Sequence, residues 1–163
     1  MSTTASNHRN ETAIVADPDL PTIVITREFD APPGRVFRAH VDPDLVSRWL
    51  GPRDLGMEIG TWDVRTGGSW RYKAVRDGEE IASFYGSFHE VRPDERIVQT
   101  FTYDGVPDAV ALEILTLEDL GGRTRLVVTS VGESVEARDA ALASGMETGI
   151  REGYEKLDAL LAG

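Results

Sequence analysis

The chain has 163 residues, a length that suits one domain and lets it bury about 68–70% of the surface its unfolded form exposes. It contains no cysteine, which excludes disulfides, thiolate metal ligands and cysteine nucleophiles and makes the cytoplasm the expected compartment. With 17 basic residues scattered among 28 acidic ones and a net charge of −11, the surface repels phosphate backbones and anionic lipid; no apolar run approaches a membrane span, so neither nucleic acid nor membrane insertion is expected.

Residues 1–21 are polar and show no period, which predicts a disordered or loosely attached tail. The domain is expected to span 22–163. It opens with a β-branched strand from Thr22 to Phe29. Asp30-Ala31-Pro32-Pro33 stops that strand and starts a helix bearing Val36, Phe37 and His40; Asp42-Pro43 starts a second helix with Leu45, Val46 and Trp49. Gly51-Pro52 closes it.

From Leu55 to Ser130 the period changes to two, with turn signals such as Gly67-Gly68, Asp77-Gly78, Pro93-Asp94, Asp104-Gly105 and Gly121-Gly122. Strands are expected near 56–65, 69–76, 80–91, 95–103, 108–118 and 123–131. Their oily faces are read as Trp70/Tyr72/Ala74, Phe84/Gly86/Phe88, Phe101/Tyr103, Val110/Leu112/Ile114 and Leu126/Val128, and Gly86 as a bulge or bend. From Ser134 to Leu161, Leu142, Met146, Gly149, Ile150, Gly153, Leu157, Leu160 and Leu161 form one stripe of one long helix. Gly145, Gly149 and Gly153 each cost about 1 kcal/mol against alanine in a helix, so they serve either close packing or empty space. Strands segregated from helices predict an α+β domain whose curved antiparallel sheet grips the last helix.

Trp49-Leu50-Gly51-Pro52, Asp63-Val64-Arg65-Thr66-Gly67-Gly68, Gly86-Ser87-Phe88-His89-Glu90-Val91 running into Pro93-Asp94-Glu95-Arg96, Gly122-Arg123-Thr124-Arg125-Leu126, and Gly145-Met146 with Gly149 resemble the stand-alone bacterial members of the START-like (SRPBCC) superfamily. More narrowly, residues 22–162 resemble the C-terminal domain of activators of the heat shock protein 90 ATPase. The resemblance implies a helix-grip fold: seven antiparallel strands around a long C-terminal helix, two short helices after the first strand, and a cavity between sheet and helix. Ser130 stands where many relatives have histidine, and Ile150 where tryptophan is common.

Chemical candidates are few. His8, His40 and His89 lack metal-ligand spacing, and no metal or cofactor is expected. His40 reads as a dipole-complementing residue at a helix C-terminus, and His89 as solvated. Asp63 and Arg65 form either a polar pair at a cavity rim or an ion pair that fixes a hairpin. Glu58, Glu90 and Glu113 receive no role, no serine sits in a nucleophile elbow, and no catalytic residue is assigned. The aromatic set remains, as core or as pocket wall: Trp70, Tyr72, Phe84, Phe88, Phe101 and Tyr103, with Leu112 on the sheet beside them and Met146, Gly149, Ile150 and Gly153 of the last helix opposite. The leading expectation is a binder of a small hydrophobic or aromatic molecule without covalent chemistry. A cyclase, dehydratase or hydrolase using Tyr72 or Tyr103 in the same cavity is an alternative, as is a co-chaperone module stimulating a chaperone ATPase. A chaperone partner is the least favoured, and homodimerisation is left open.

Overall fold

A computed structural model describes residues 10–163. Eight strands form one antiparallel sheet in the order β1-β2-β8-β7-β6-β5-β4-β3. The strands are β1 (Ala13–Ala16), β2 (Thr22–Phe29), β3 (Gly56–Trp62), β4 (Ser69–Arg76), β5 (Glu79–Arg92), β6 (Arg96–Tyr103), β7 (Ala111–Asp119) and β8 (Thr124–Val131). Helices α1 (Pro33–Val41) and α2 (Pro43–Val46) follow β2, and α3 (Val135–Ala143) and α4 (Met146–Ala162) end the chain. No helix among the described residues is long and apolar enough to cross a membrane.

The expected seven strands are therefore eight. Ala13–Ala16 lies within the stretch expected to be a loose tail, yet it pairs with Ile23–Thr26 of β2 as an edge strand. Residues 1–9 of that expected tail lie outside the described residues. The expected single long helix is two, because Gly145 adopts φ +89° and breaks the helix between Ala143 and Met146; the left-handed region is open to glycine without the Cβ penalty other residues meet.

The local signals act as their chemistry requires. Pro33 occupies the first turn of α1, and the Asp42 side chain caps α2 by accepting from the Asp44 N–H at 2.9 Å. The ladder bulges between Phe88 and Glu90, two residues beyond the expected position, and again in β3 between Ile59 and Trp62. Gly86 instead permits close approach: a Cβ there would lie 2.7 Å from the Trp70 indole nitrogen and against the Thr100 carbonyl.

The core sits where α4 crosses β2 and β8. Phe29, Leu126 and Leu157 are fully buried with Val36 of α1. Tyr154 of α4 meets Phe29 edge-on at 5.5 Å and stacks on Trp49 at 5.9 Å. Arg27 of β2, 2 % exposed, forms a bidentate pair with Asp158 of α4 at 3.1 and 2.5 Å, so one ion pair ties sheet to helix. Buried Arg138 of α3 donates to the carbonyls of Asp17, Leu20 and Thr22, which fastens the stretch between β1 and β2.

Candidate functional site

The inner face of the sheet is defined by the partners of α4: Phe29 touches Tyr154, and Arg27 pairs with Asp158. Side chains alternate along a strand, so register carries that face across the sheet. From Arg27 it passes to Leu126 of β8 and then to Leu117 of β7. Counting by twos along β7 reaches Leu115, Glu113 and Ala111, which pair with Ile97, Gln99 and Phe101 of β6. Beyond β6 the face continues to Phe84 of β5, Tyr72 of β4 and Ile59 of β3.

Two chemically distinct zones result. The first is a continuous array of rings on β4, β5 and β6. Trp70 stacks on Tyr72 at 5.7 Å and meets Phe101 at 5.7 Å. Phe84 contacts Tyr72 at 5.1 Å, Phe101 at 5.4 Å and Tyr103 at 5.6 Å. Trp70 is 4 % exposed, Tyr72, Phe84 and Phe101 are partly buried, and Tyr103 at 43 % exposure forms the rim. Phe88, also predicted for this wall, lies in the buried core and joins none of these ring pairs.

The second zone is a polar row across three strands: Gln99 of β6, Glu113 of β7 and Ser130 of β8 stand side by side. The Gln99 amide donates to Glu113 Oε1 at 3.0 Å. Burial pushes the Glu113 carboxyl above the usual carboxylate range, and the Gln99 bond opposes that shift. The carboxylate stands between wall and helix. Its charge reaches both Tyr72 of β4 and Tyr154 of α4, whose phenols are raised chiefly by burial and then by Glu113. Met146 and Ile150, on the stripe of α4 that carries Tyr154 and Leu157, pack against the same core.

Several sequence-based expectations are corrected here. Leu112 does not line the wall: it is 39 % exposed, because β7 presents Glu113 inward and Leu112 outward. Apolar residues at both parities of this strand hid the register. Thr116 and Glu118, alternating with Leu115 and Leu117, were the signal that could have set it. Gly149 and Gly153 do not face the rings either. A Cβ on Gly149 would meet Pro52 at 3.4 Å, and one on Gly153 would meet the Trp49 carbonyl at 3.1 Å and Gly51 at 3.4 Å. These glycines seat α4 on the segment after α2. His40 is not a helix-end cation, because desolvation pulls its imidazole down to about 4, and its Nε2 is enclosed without a hydrogen-bond partner among the described residues. His40 Nδ1 lies 2.7 Å from the Val36 carbonyl, and the ring sits edge-on to Trp49 at 4.8 Å.

Other candidates are structural. Asp63 and Arg65 pair at 2.9 Å on the exposed hairpin, and His89 is exposed. No group of three or more His, Asp or Glu side chains among the described residues is placed to hold a metal ion. Two hollows of about 270 and 290 Å³ are lined by other residues, among them Asn10, Asp30 and Asp158 in one and Thr12, Arg27 and Arg151 in the other. Their chemistry is that of the Arg27–Asp158 tie and not of the aromatic wall.

Comparison with known proteins places this architecture. A Rhodobacter sphaeroides protein of known crystal structure superposes with a TM-score of 0.84 at 28% identity, covering 93% of this chain and 99% of its own. An Arthrobacter aurescens protein solved by NMR gives 0.84 at 28%, covering 92% and 91%. A Mycobacterium smegmatis protein gives 0.83 at 27%, covering 92% and 96%. No curated protein matches. The model of one family, described as activator of Hsp90 ATPase homolog 1-like protein, matches residues 30–162. That match runs from the end of β2 to the end of α4, and the chain therefore belongs to this family of START-like helix-grip proteins.

Proposed function

We propose that this protein binds a small hydrophobic molecule, with a ring system laid on Trp70, Tyr72, Phe84 and Phe101 under Met146 and Ile150, and a polar group directed at Glu113. The observation that supports this reading most is the pairing of a continuous ring array with one nearby carboxyl. Ligand sites combine apolar lining with few polar atoms in this way. A wall meant only as core has no use for Glu113, because even a partly buried carboxyl without a cation costs stability.

Thermal denaturation against a library of fused-ring compounds tests the reading. Binders raise the melting temperature by mass action, and Phe84→Ala, at the centre of the ring array, weakens them at least about tenfold. A library without a single stabilising member overturns the proposal, as does one whose binders are indifferent to Phe84→Ala.

One observation favours a second reading, acid–base catalysis on the bound molecule: the Glu113 charge reaches the Tyr72 phenol. A carboxyl raised above its ordinary range by burial holds its proton to higher pH, as a general acid must. Stimulation of a chaperone ATPase has the family description in its favour and no residue of this site.

A further inference from the structure

We infer that the molecule recognised at this site is a cationic amphiphile: an aromatic body carrying an amine, whose ammonium group pairs with Glu113. The inference rests on the binding reading above and adds the charge of the ligand to it.

Three independent observations point to a cation. The first is the missing counter-charge. Glu113 lies on the inner face, where Gln99 is its one hydrogen-bond partner among the described residues and engages a single carboxylate oxygen. Arg27 is committed to Asp158, and Arg71, on the opposite parity from Tyr72, reaches Ser83 and Asp104. On its own face Glu113 is flanked by Ser130 of β8, and its charge reaches the phenols of Tyr72 and Tyr154; none of these groups carries a positive charge.

The second is the wall itself. Rings in mutual contact present negative π-faces, the environment that aromatic cages use to hold ammonium groups. The third is long range. A net charge of −11 raises the local concentration of cations and lowers that of carboxylates. A ligand carboxylate would meet like charge at Glu113, and a neutral alcohol would leave the partly desolvated carboxylate without a counter-charge. An ammonium group satisfies the free oxygen, the charge and the rings together.

Isothermal titration calorimetry with 2-naphthylmethylamine, 2-naphthylmethanol and 2-naphthoate separates these cases. The expected order is amine tightest, at least about tenfold over the alcohol, with the carboxylate weakest. In Glu113→Gln, which is isosteric and keeps a partner for Gln99, the amine falls to the affinity the alcohol shows on the same variant. Circular dichroism and thermal melting verify that the variant is folded. Alcohol binding as tight as amine, or an amine preference that survives Glu113→Gln in the folded variant, overturns the cation inference while the hydrophobic-binding reading stands. Should Glu113→Gln fail to fold, the three-probe order on the parent protein decides alone. Absence of binding by all three probes overturns the inference, and the fused-ring library then decides whether the binding reading falls with it.

Discussion

Glu113 and His40 pull stability in opposite directions with pH, and their signs follow from burial alone. The Glu113 carboxyl is raised on folding above its ordinary 4.5, so its contribution is complete below that value and is lost as pH rises through the folded value. Glu113→Gln should therefore melt higher than the parent at neutral pH, with the difference vanishing at acid pH. His40 is lowered from 6.5 to about 4, so its contribution is present above 6.5 and is lost as pH falls toward about 4. The parent should lose stability across that window, and His40→Gln should flatten the loss. Denaturant titrations of parent and both variants at pH 4, 5.5 and 7 check the pair; a Glu113→Gln difference that grows on acidification contradicts the inward carboxyl. Neither residue's state was legible in the sequence. His40 looked like a helix-end cation because Trp49, which packs edge-on against it, arrives from the turn after the next helix, and Glu113 looked like one of many surface acids.

Element boundaries were legible wherever a residue with a single conformational preference marks them. Pro33 and Asp42 start helices as expected, and the two-residue period of the meander gives each strand within a few positions. The long-helix reading failed because stripe spacing continues through Ser144-Gly145 while the backbone does not. The glycines of α4 now separate into two kinds. At Gly153 an added methyl meets backbone atoms of Trp49 and Gly51 that cannot yield, so Gly153→Ala should destabilise by about 1–3 kcal/mol. At Gly149 the methyl reaches ordinary contact with the Pro52 ring, so helix propensity prevails and Gly149→Ala should gain up to about 1 kcal/mol. Chemical denaturation of the two variants decides this; equal effects would mean that α4 is not seated on the 49–52 segment as described.

For the whole molecule, the order of elements was enough to read an antiparallel sheet gripping a helix, since segregated strands and one terminal amphipathic stretch leave few other layers. The ties that hold the grip closed were not readable, because Arg27 and Asp158 stand 131 residues apart and look individually like surface charges. Asp158 is 33 % exposed while Arg27 is buried, so removing the carboxylate strands a desolvated guanidinium. Asp158→Ala should cost about 3 kcal/mol, and the double variant Arg27→Met/Asp158→Leu should recover most of it. A single variant as stable as the parent would show that the tie contributes nothing. Only the aromatic half of the candidate site was foreseeable, since rings announce themselves at period two while the polar row depends on the register of β7. The two ends of the sheet carry a further consequence, for life in a crowded solution. An open sheet invites another chain to add a strand and propagate an aggregate. Here β1 offers only four residues at one end, and at the other the ladder of β3 is interrupted between Ile59 and Trp62. An arriving strand can keep register with neither edge for long, so an antiparallel sheet of eight strands stays finite without being closed into a barrel.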